Sequence, residues 1–212
     1  MVLNYFNNPT VLVISAIVMV MALILHNMVQ TFVAARYGDT RAKFSGFGKF
    51  DPQQQLEPMG VLFLFLLGFG WPKKIPTESR NYRGKQEALV WYSGPLTYLG
   101  VALASYLVGA ILLQFGGQIQ LFSAFVAAGN FAIIHAVINL FPVYPLDGAK
   151  AALAWGNADV RKFIQQIAQY GFIGFIVIFL LLSYTGIIGG IETFFRSLLF
   201  GILRLLGFDL PF

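Results

Sequence analysis

The sequence predicts an all-α, multi-pass membrane protein. Three observations carry that prediction. Of the 212 residues, 58% are hydrophobic and 11% are charged, against about a quarter charged in an ordinary soluble domain. Mean hydropathy is +0.72. Several apolar runs approach or exceed the ~20 residues that cross a bilayer as a helix.

The elements follow in order. Asn7-Asn8-Pro9-Thr10 offers a helix start and Gly38-Asp39 a stop, so the first span is expected over about 10–35. No positively charged leader precedes it, and it is expected to be retained. Residues 37–57 mix charges with alternating Gly46, Gly48, Phe44, Phe47 and Phe50, which reads as irregular chain or short strands. Residues 58–71 are apolar but short for a span and contain Gly60, Gly68 and Gly70. A re-entrant or a tilted, distorted segment is expected there. Further spans are expected over 88–115 and 121–141, joined by the uncharged turn 116–120. Pro142, Pro145 and Asp147-Gly148 break the pattern before a short helix ending at Trp155. Arg161 and Lys162 precede another span, to about Tyr184. The tail 191–206 carries Glu192, Arg196 and Arg204 on about a third of a helix surface and reads as an interfacial amphipathic helix. Glu192 and Arg196 read as a surface pair.

Charge sets an expected topology. Fourteen Lys and Arg against nine Asp and Glu give a net charge of +5, which speaks to topology and anionic lipid rather than to nucleic acid. The basic residues cluster at 36–49, 73–85 and 150–162, so these regions are expected to be cytoplasmic and the 116–120 turn outside. That requires 58–71 to enter and leave on one side. Cysteine is absent, which excludes disulfides, thiolate metal sites and cysteine nucleophiles.

Two polar centres interrupt the apolar spans. In the first, His26 and Gln30 stand one helical turn apart with Asn27 beside them. Polar groups within a membrane-length helix mark a site by default, because burying them in hydrocarbon is costly. The spacing is that of a zinc-protease helix, H-E-x-x-H, in which two histidines hold the metal and the glutamate is general base. The second centre is Asn139 to Gly148, an ordered break at a helix end in which Asp147 is a candidate metal ligand or helix cap. His135 lies one turn before Asn139 and could face the same site.

Taken together, these stretches resemble the site-2 proteases, the intramembrane zinc metalloproteases. Five segments match in order: the H-E-x-x-H helix with its A-x-x-x-G-D continuation (His26 to Asp39), H-x-[DE]-P-x-G (Gln55 to Gly60), G-W-x-K-P-x-P (Gly70 to Pro76), A-G-P-x-x-N (Ser93 to Tyr98) and N-x-x-P-x-P-P-L-D-G-G (Asn139 to Ala149). The expected architecture is a site-2-protease-like fold of about four transmembrane helices plus a re-entrant segment and a C-terminal amphipathic helix, with the membrane core over 1–155 and an additional transmembrane helix and the C-terminal interfacial helix over 156–212. The resemblance implies that His26 and Asp147 are zinc ligands and that Asn139 positions the scissile carbonyl.

The chemistry departs from the pattern at four places. Asn27 replaces the catalytic Glu, Gln30 the second ligand His, Gln55 a further His and Tyr98 the Asn of the G-P-x-x-N helix. An amide cannot accept the proton of water, and a positioned general base contributes roughly 10²–10⁴ in rate. Structural zinc sites bind with about 10–16 kcal/mol over four ligands, so exchanging one His for a neutral amide loses about 3 kcal/mol, roughly a hundredfold. The expectation is a catalytically degenerate member with His26 and Asp147 as vestigial ligands towards the cytoplasmic side. No cofactor is expected, zinc being the alternative, with a rescued His26, His135 and Asp147 set the sharpest form of it. The expected partners are the lipid bilayer and other integral membrane proteins, as part of a larger complex. A working zinc protease with altered ligands is the competing reading.

Overall fold

The computed structural model describes residues 8–208. Helix α1 spans Pro9–Arg36, capped by the Asn8 side chain accepting from the Val11 amide. Helices α2 (Pro52–Gln55) and α3 (Pro58–Leu67) follow. Two long helices come next, α4 (Gly84–Gln114) and α5 (Ile119–Leu140). The remainder comprises α6 (Asp147–Trp155), α7 (Ala158–Ala168), α8 (Gly171–Tyr184) and α9 (Ile187–Leu205). Three of these, α1, α4 and α5, are long and apolar enough to cross a membrane, and the bent pair α7–α8 makes a fourth if it is one span. The protein is therefore an all-α, multi-pass membrane protein.

The core is built on α5. Its spanning window is 72% buried, against 44% for α1 and 33% for α4, so α5 is the central helix and the other two flank it. The sequence permits this because Ala124, Ala127, Ala128, Ala132 and Ala136 are all buried on it, and small residues let helices approach closely in lipid, where no hydrophobic force drives them together. Met19, Leu23, Tyr98, Tyr106 and Ile133 fill the space between.

The structure sharpens three sequence expectations. Over 37–57 the chain forms short helical pieces, a π-helical turn at Lys43–Phe47 and α2, with no strand among the described residues. Phe44, Gly46 and Phe47 sit in that turn, where Gly46 has φ +92°. Over 58–71, α3 ends at left-handed Gly68 and the chain doubles back. Leu56 and Pro72 face each other in an antiparallel bridge, and the Lys73 amide donates to the Gln55 carbonyl at 2.8 Å. Both ends of the segment therefore lie at one level, as a re-entrant hairpin requires. The fold is close enough that a Cβ on Gly70 would run into the Gly60 carbonyl. Lastly, the stretch towards Tyr184 is broken: α7 and α8 meet at 108°, with Gly171 at φ +55°. At 14 residues, α8 is only about 21 Å long.

α9 also differs from its surface reading. Ile188, Leu199 and Leu203 are buried. Glu192, on the same side, is half-buried at 22% side-chain exposure and lies 3.9 Å from Arg196. Phe194, Leu198 and Leu205 point away from the protein. The helix is amphipathic, with Glu192 leaning on the bundle, Arg196 more exposed beside it, and its apolar side facing out.

Candidate functional site

The site forms where α1, α4 and α6 meet beside the hairpin. The Pro142–Pro145 break turns the chain at the end of α5 so that α6 starts with Asp147 pointed back at α1. His26 Nε2 lies 2.8 Å from Asp147 Oδ2, and Gln30 Nε2 donates to the same oxygen at 2.7 Å. Lys150 Nζ donates to Oδ1 at 2.8 Å. Three donors thus converge on one carboxylate that is 4% exposed. Gln30 also donates to the Trp91 carbonyl at 3.2 Å, tying α1 to α4. Lys150 rests 4.1 Å above the Trp91 ring, where the face of the indole attracts its charge.

Asn27 takes a bracing role. Its Nδ2 donates to the Lys73 carbonyl at 2.8 Å, and its Oδ1 lies 3.3 Å from His26 Nδ1. The amide fastens α1 to the returning arm of the hairpin. Gly94 of α4 presses against the pair: a Cβ there would meet His26 Nε2 and Gln30 Nε2. A cavity of about 280 Å³ opens beside the cluster. His26, Asn27, Gln30, Asn139, Asp147 and Lys150 make its polar floor, and Phe69, Trp71, Trp91 and Phe175 its aromatic walls.

The residues singled out from sequence do not all gather here. His26, Asn27, Gln30, Asn139 and Asp147 line the cavity. Asn139 Nδ2 donates to its own helix, to the His135 carbonyl at 2.9 Å. Gln55 does not line it: its side chain is turned to the Phe47 and Lys49 carbonyls, at 2.8 Å each, and holds the π-helical turn in place. Tyr98 lies under the site, stacked on His26 with ring centroids 5.0 Å apart. Its hydroxyl is buried and meets no hydrogen-bond partner among the described residues.

Among the described residues, His26, His135 and Asp147 are not gathered as a metal-binding group. His135 Nδ1 donates to the Phe131 carbonyl at 2.8 Å, and its Nε2 accepts from the Gly70 amide at 3.1 Å. Both ring nitrogens are occupied in holding the hairpin against α5, and neither reaches His26 or Asp147. Lys150 was not legible as a site residue, although its place one turn after Asp147 was the available signal. Trp91, Phe69 and Phe175 gave none, because their position depends on how α4, the hairpin and α8 turn in space.

A zinc ion does not fit the donors as they stand. A catalytic zinc takes three protein ligands and a water. Among the described residues no three His, Cys, Asp or Glu side chains gather to hold a metal. Gln30 meets Asp147 through its amide nitrogen, which donates, and the Lys150 ammonium sits where a second cation would be repelled.

Outside the membrane-length helices, a second charged cluster fixes the loops. Asp39, 1% exposed, accepts from Arg41 Nη2 at 2.9 Å and from the Glu78 amide at 2.9 Å. Burial pushes the Asp39 carboxyl up, but hydrogen bonds from the Arg41 side chain and the Glu78 and Arg41 amides outweigh it and hold the pKa at about 2. Arg41 also pairs with Glu78 at 2.9 Å, and Arg80 with Glu78.

Fold and site together define a polytopic helical protein with a site-2-protease-like polar centre between its first long helix and the break after α5. Comparison with known proteins agrees. Over 174 residues the chain is 28% identical to "Putative zinc metalloprotease YwhC" of Bacillus subtilis, covering 77% of this chain and 78% of that one. It is also 28% identical to "Putative zinc metalloprotease Rip2" of Mycolicibacterium smegmatis and of Mycobacterium tuberculosis, spanning 64% and 66% of their lengths. These homologues bear out the resemblance to the site-2 protease family. No family model and no solved structure matches the chain.

Proposed function

We propose that this protein is a non-catalytic relative of the site-2 proteases that uses the retained core to bind other membrane proteins. It acts as a stable subunit of a larger assembly, or as a regulator that holds a transmembrane segment against the cavity. The observation that carries this reading is the commitment of Asp147 to His26, Gln30 and Lys150. Each atom that would have to serve chemistry already serves as a tie between elements. Asn27, where the base belongs, offers no group that takes up a proton and is bonded to the hairpin. The cavity survives, with aromatic walls suited to apolar side chains and a polar floor suited to a backbone or polar group.

Two measurements test this. After detergent extraction, native mass measurement is expected to show the chain with a co-purifying membrane protein; a solitary monomer counts against the binding role. Metal analysis of the purified protein is expected to find zinc far below one equivalent, with no shift in thermal stability on adding a chelator. The second reading is a working zinc protease with altered ligands, the activity class printed in the names of the relatives. Stoichiometric zinc, lost on His26→Ala or Asp147→Ala, establishes that reading instead.

A further inference from the structure

α9 lies beyond the motif-bearing stretch, and it carries a cation that the rest of the protein leaves almost unpaired. Its course is set by its neighbours. Ile188 shares a pocket with Ile138, Phe141, Val143 and Leu146, at the site end of α5. Phe200 packs on Tyr106, ring centroids 4.7 Å apart, and Tyr106 donates to Asn130 at 2.7 Å. Tyr106 lies eight residues beyond Tyr98 on α4, about 12 Å further from the site, and Asn130 lies nine residues before Asn139 on α5. The twelve residues from Ile188 to Phe200 therefore climb away from the site end, alongside two helices of membrane-spanning length. A helix lying flat in the interface does not do this.

Arg196 falls at the middle of α9, nine residues from either end, about 13 Å along the axis. An arginine side chain reaches only about 6 Å, so it cannot snorkel to water from there. Its guanidinium has five N–H donors. Among the described residues it meets one carboxylate, Glu192, at 3.9 Å, and it stays 38% exposed. Ionised groups at membrane depth face a partner as a rule. Next to Arg196, Gly189, Thr193, Ser197 and Gly201 recur every fourth residue, and a Cβ on Gly189 or Gly201 would meet nothing, so a neighbouring helix can come close.

We propose that α9 crosses the membrane and that its Arg196 side seats a transmembrane helix of another protein carrying an Asp or Glu at mid-depth. The sign of the charge selects this occupant. Two copies of this chain meeting on that side would bring Arg196 and Arg204 against their own equivalents, whereas Glu192 is turned inward. α9 would do this whatever the cavity does.

The chain has no cysteine, so single cysteines can be placed without altering the background. Ser197→Cys, labelled with a donor dye and reconstituted in lipid vesicles, is titrated with acceptor-labelled synthetic leucine-alanine helices of about 20 residues. One carries a central Glu and the other a central Leu. The Glu helix is expected to associate about tenfold more tightly, and Arg196→Leu, which makes α9 more apolar, removes the difference while Arg196→Lys keeps most of it. Equal association of the two helices, or a preference that survives Arg196→Leu, overturns the proposal. So does disulfide formation between Ser197→Cys copies in the absence of peptide, which assigns the surface to a second copy. A membrane-impermeant maleimide is expected to reach Asn157→Cys and Gly207→Cys from opposite sides; labelling from the same side places α9 in the interface and also overturns it.

Discussion

Two charged centres within the helical bundle contrast sharply. At Asp147 a single carboxylate is met by three donors at 2.7–2.8 Å, each from a side chain on α1 or α6. At Arg196 a guanidinium with five donors meets one carboxylate at 3.9 Å. Asp147 is 4% exposed, so the cost of leaving its charge unmatched is high, whereas the Arg196 side chain is 38% exposed. The first centre is closed: its charges are satisfied inside the chain, and it clamps α1, α4 and α6 together. The second is open: its one ion pair is long and its side chain is partly exposed. A polar centre can serve the fold by closing on itself, while an open charge lies elsewhere on the same chain.

That contrast can be tested by removing charges in turn. Asp147→Leu has the largest expected effect. It strands Lys150 and Gln30 without their carboxylate, and breaking a buried pair costs about 3–5 kcal/mol, enough to abolish recovery of folded protein from detergent. Lys150→Met in the same background is expected to restore part of it, because the orphaned cation goes too. No recovery in the double variant would show that Asp147 acts through something other than this charge network.

Gly94→Ala follows. The added methyl meets His26 and Gln30 directly, and overpacking costs about 1–3 kcal/mol. A thermal midpoint several degrees lower is the expected result, and an unchanged midpoint would mean that the cluster is looser than its distances imply.

The loop cluster provides an intermediate case. The Asp39 pKa is lowered from 3.8 to about 2 in the folded protein. A depressed carboxylate contributes stability that is fully present above its unfolded pKa and is lost as pH falls through the folded one. The wild-type midpoint should therefore fall between pH 4 and 2, and Asp39→Asn should start lower and vary less across that window. Parallel curves for the two proteins would assign the acid sensitivity to other groups.

The smallest effect is expected at Arg196. In detergent, without a partner, Arg196→Leu should change stability by no more than about 1 kcal/mol, since its one ion pair is long and partly exposed. A double-mutant cycle with Glu192→Gln measures that coupling. A loss as large as that of Asp147→Leu would mean the second centre is closed as well, and the contrast between them would fail.

Much of this was legible in the chain. Hydropathy and cap residues placed α1 within a residue at its start and end, since Asn8 and Pro9 act locally. The re-entrant course of 58–71 followed from its glycines and from the charge of its flanks. His26, Gln30 and Asp147 were recognisable as one constellation because motif spacing persists where residue identities differ. Helical spacing puts His135 near Asn139 without saying which way the helix is turned, so the sequence left open whether His135 joins the site or bonds to its neighbours. It faces the hairpin, with Phe69 stacked on it at 5.0 Å. Gln55 was singled out through its place in the Gln55 to Gly60 motif, and its side chain holds a loop.

Composition and local pattern alone determined a helical membrane protein with a degenerate metalloprotease signature, because span length, helix ends and residue identity are properties of neighbouring residues. Only the tertiary structure decided what the polar residues do. The bonds that join His26 and Gln30 to Asp147 link residues 121 and 117 positions apart, and the orientation of Arg196 depends on how α9 rests against α4 and α5. Those relations depend on the rotation and depth of whole helices, set by packing of small residues along α5, and no local stretch of sequence encodes them.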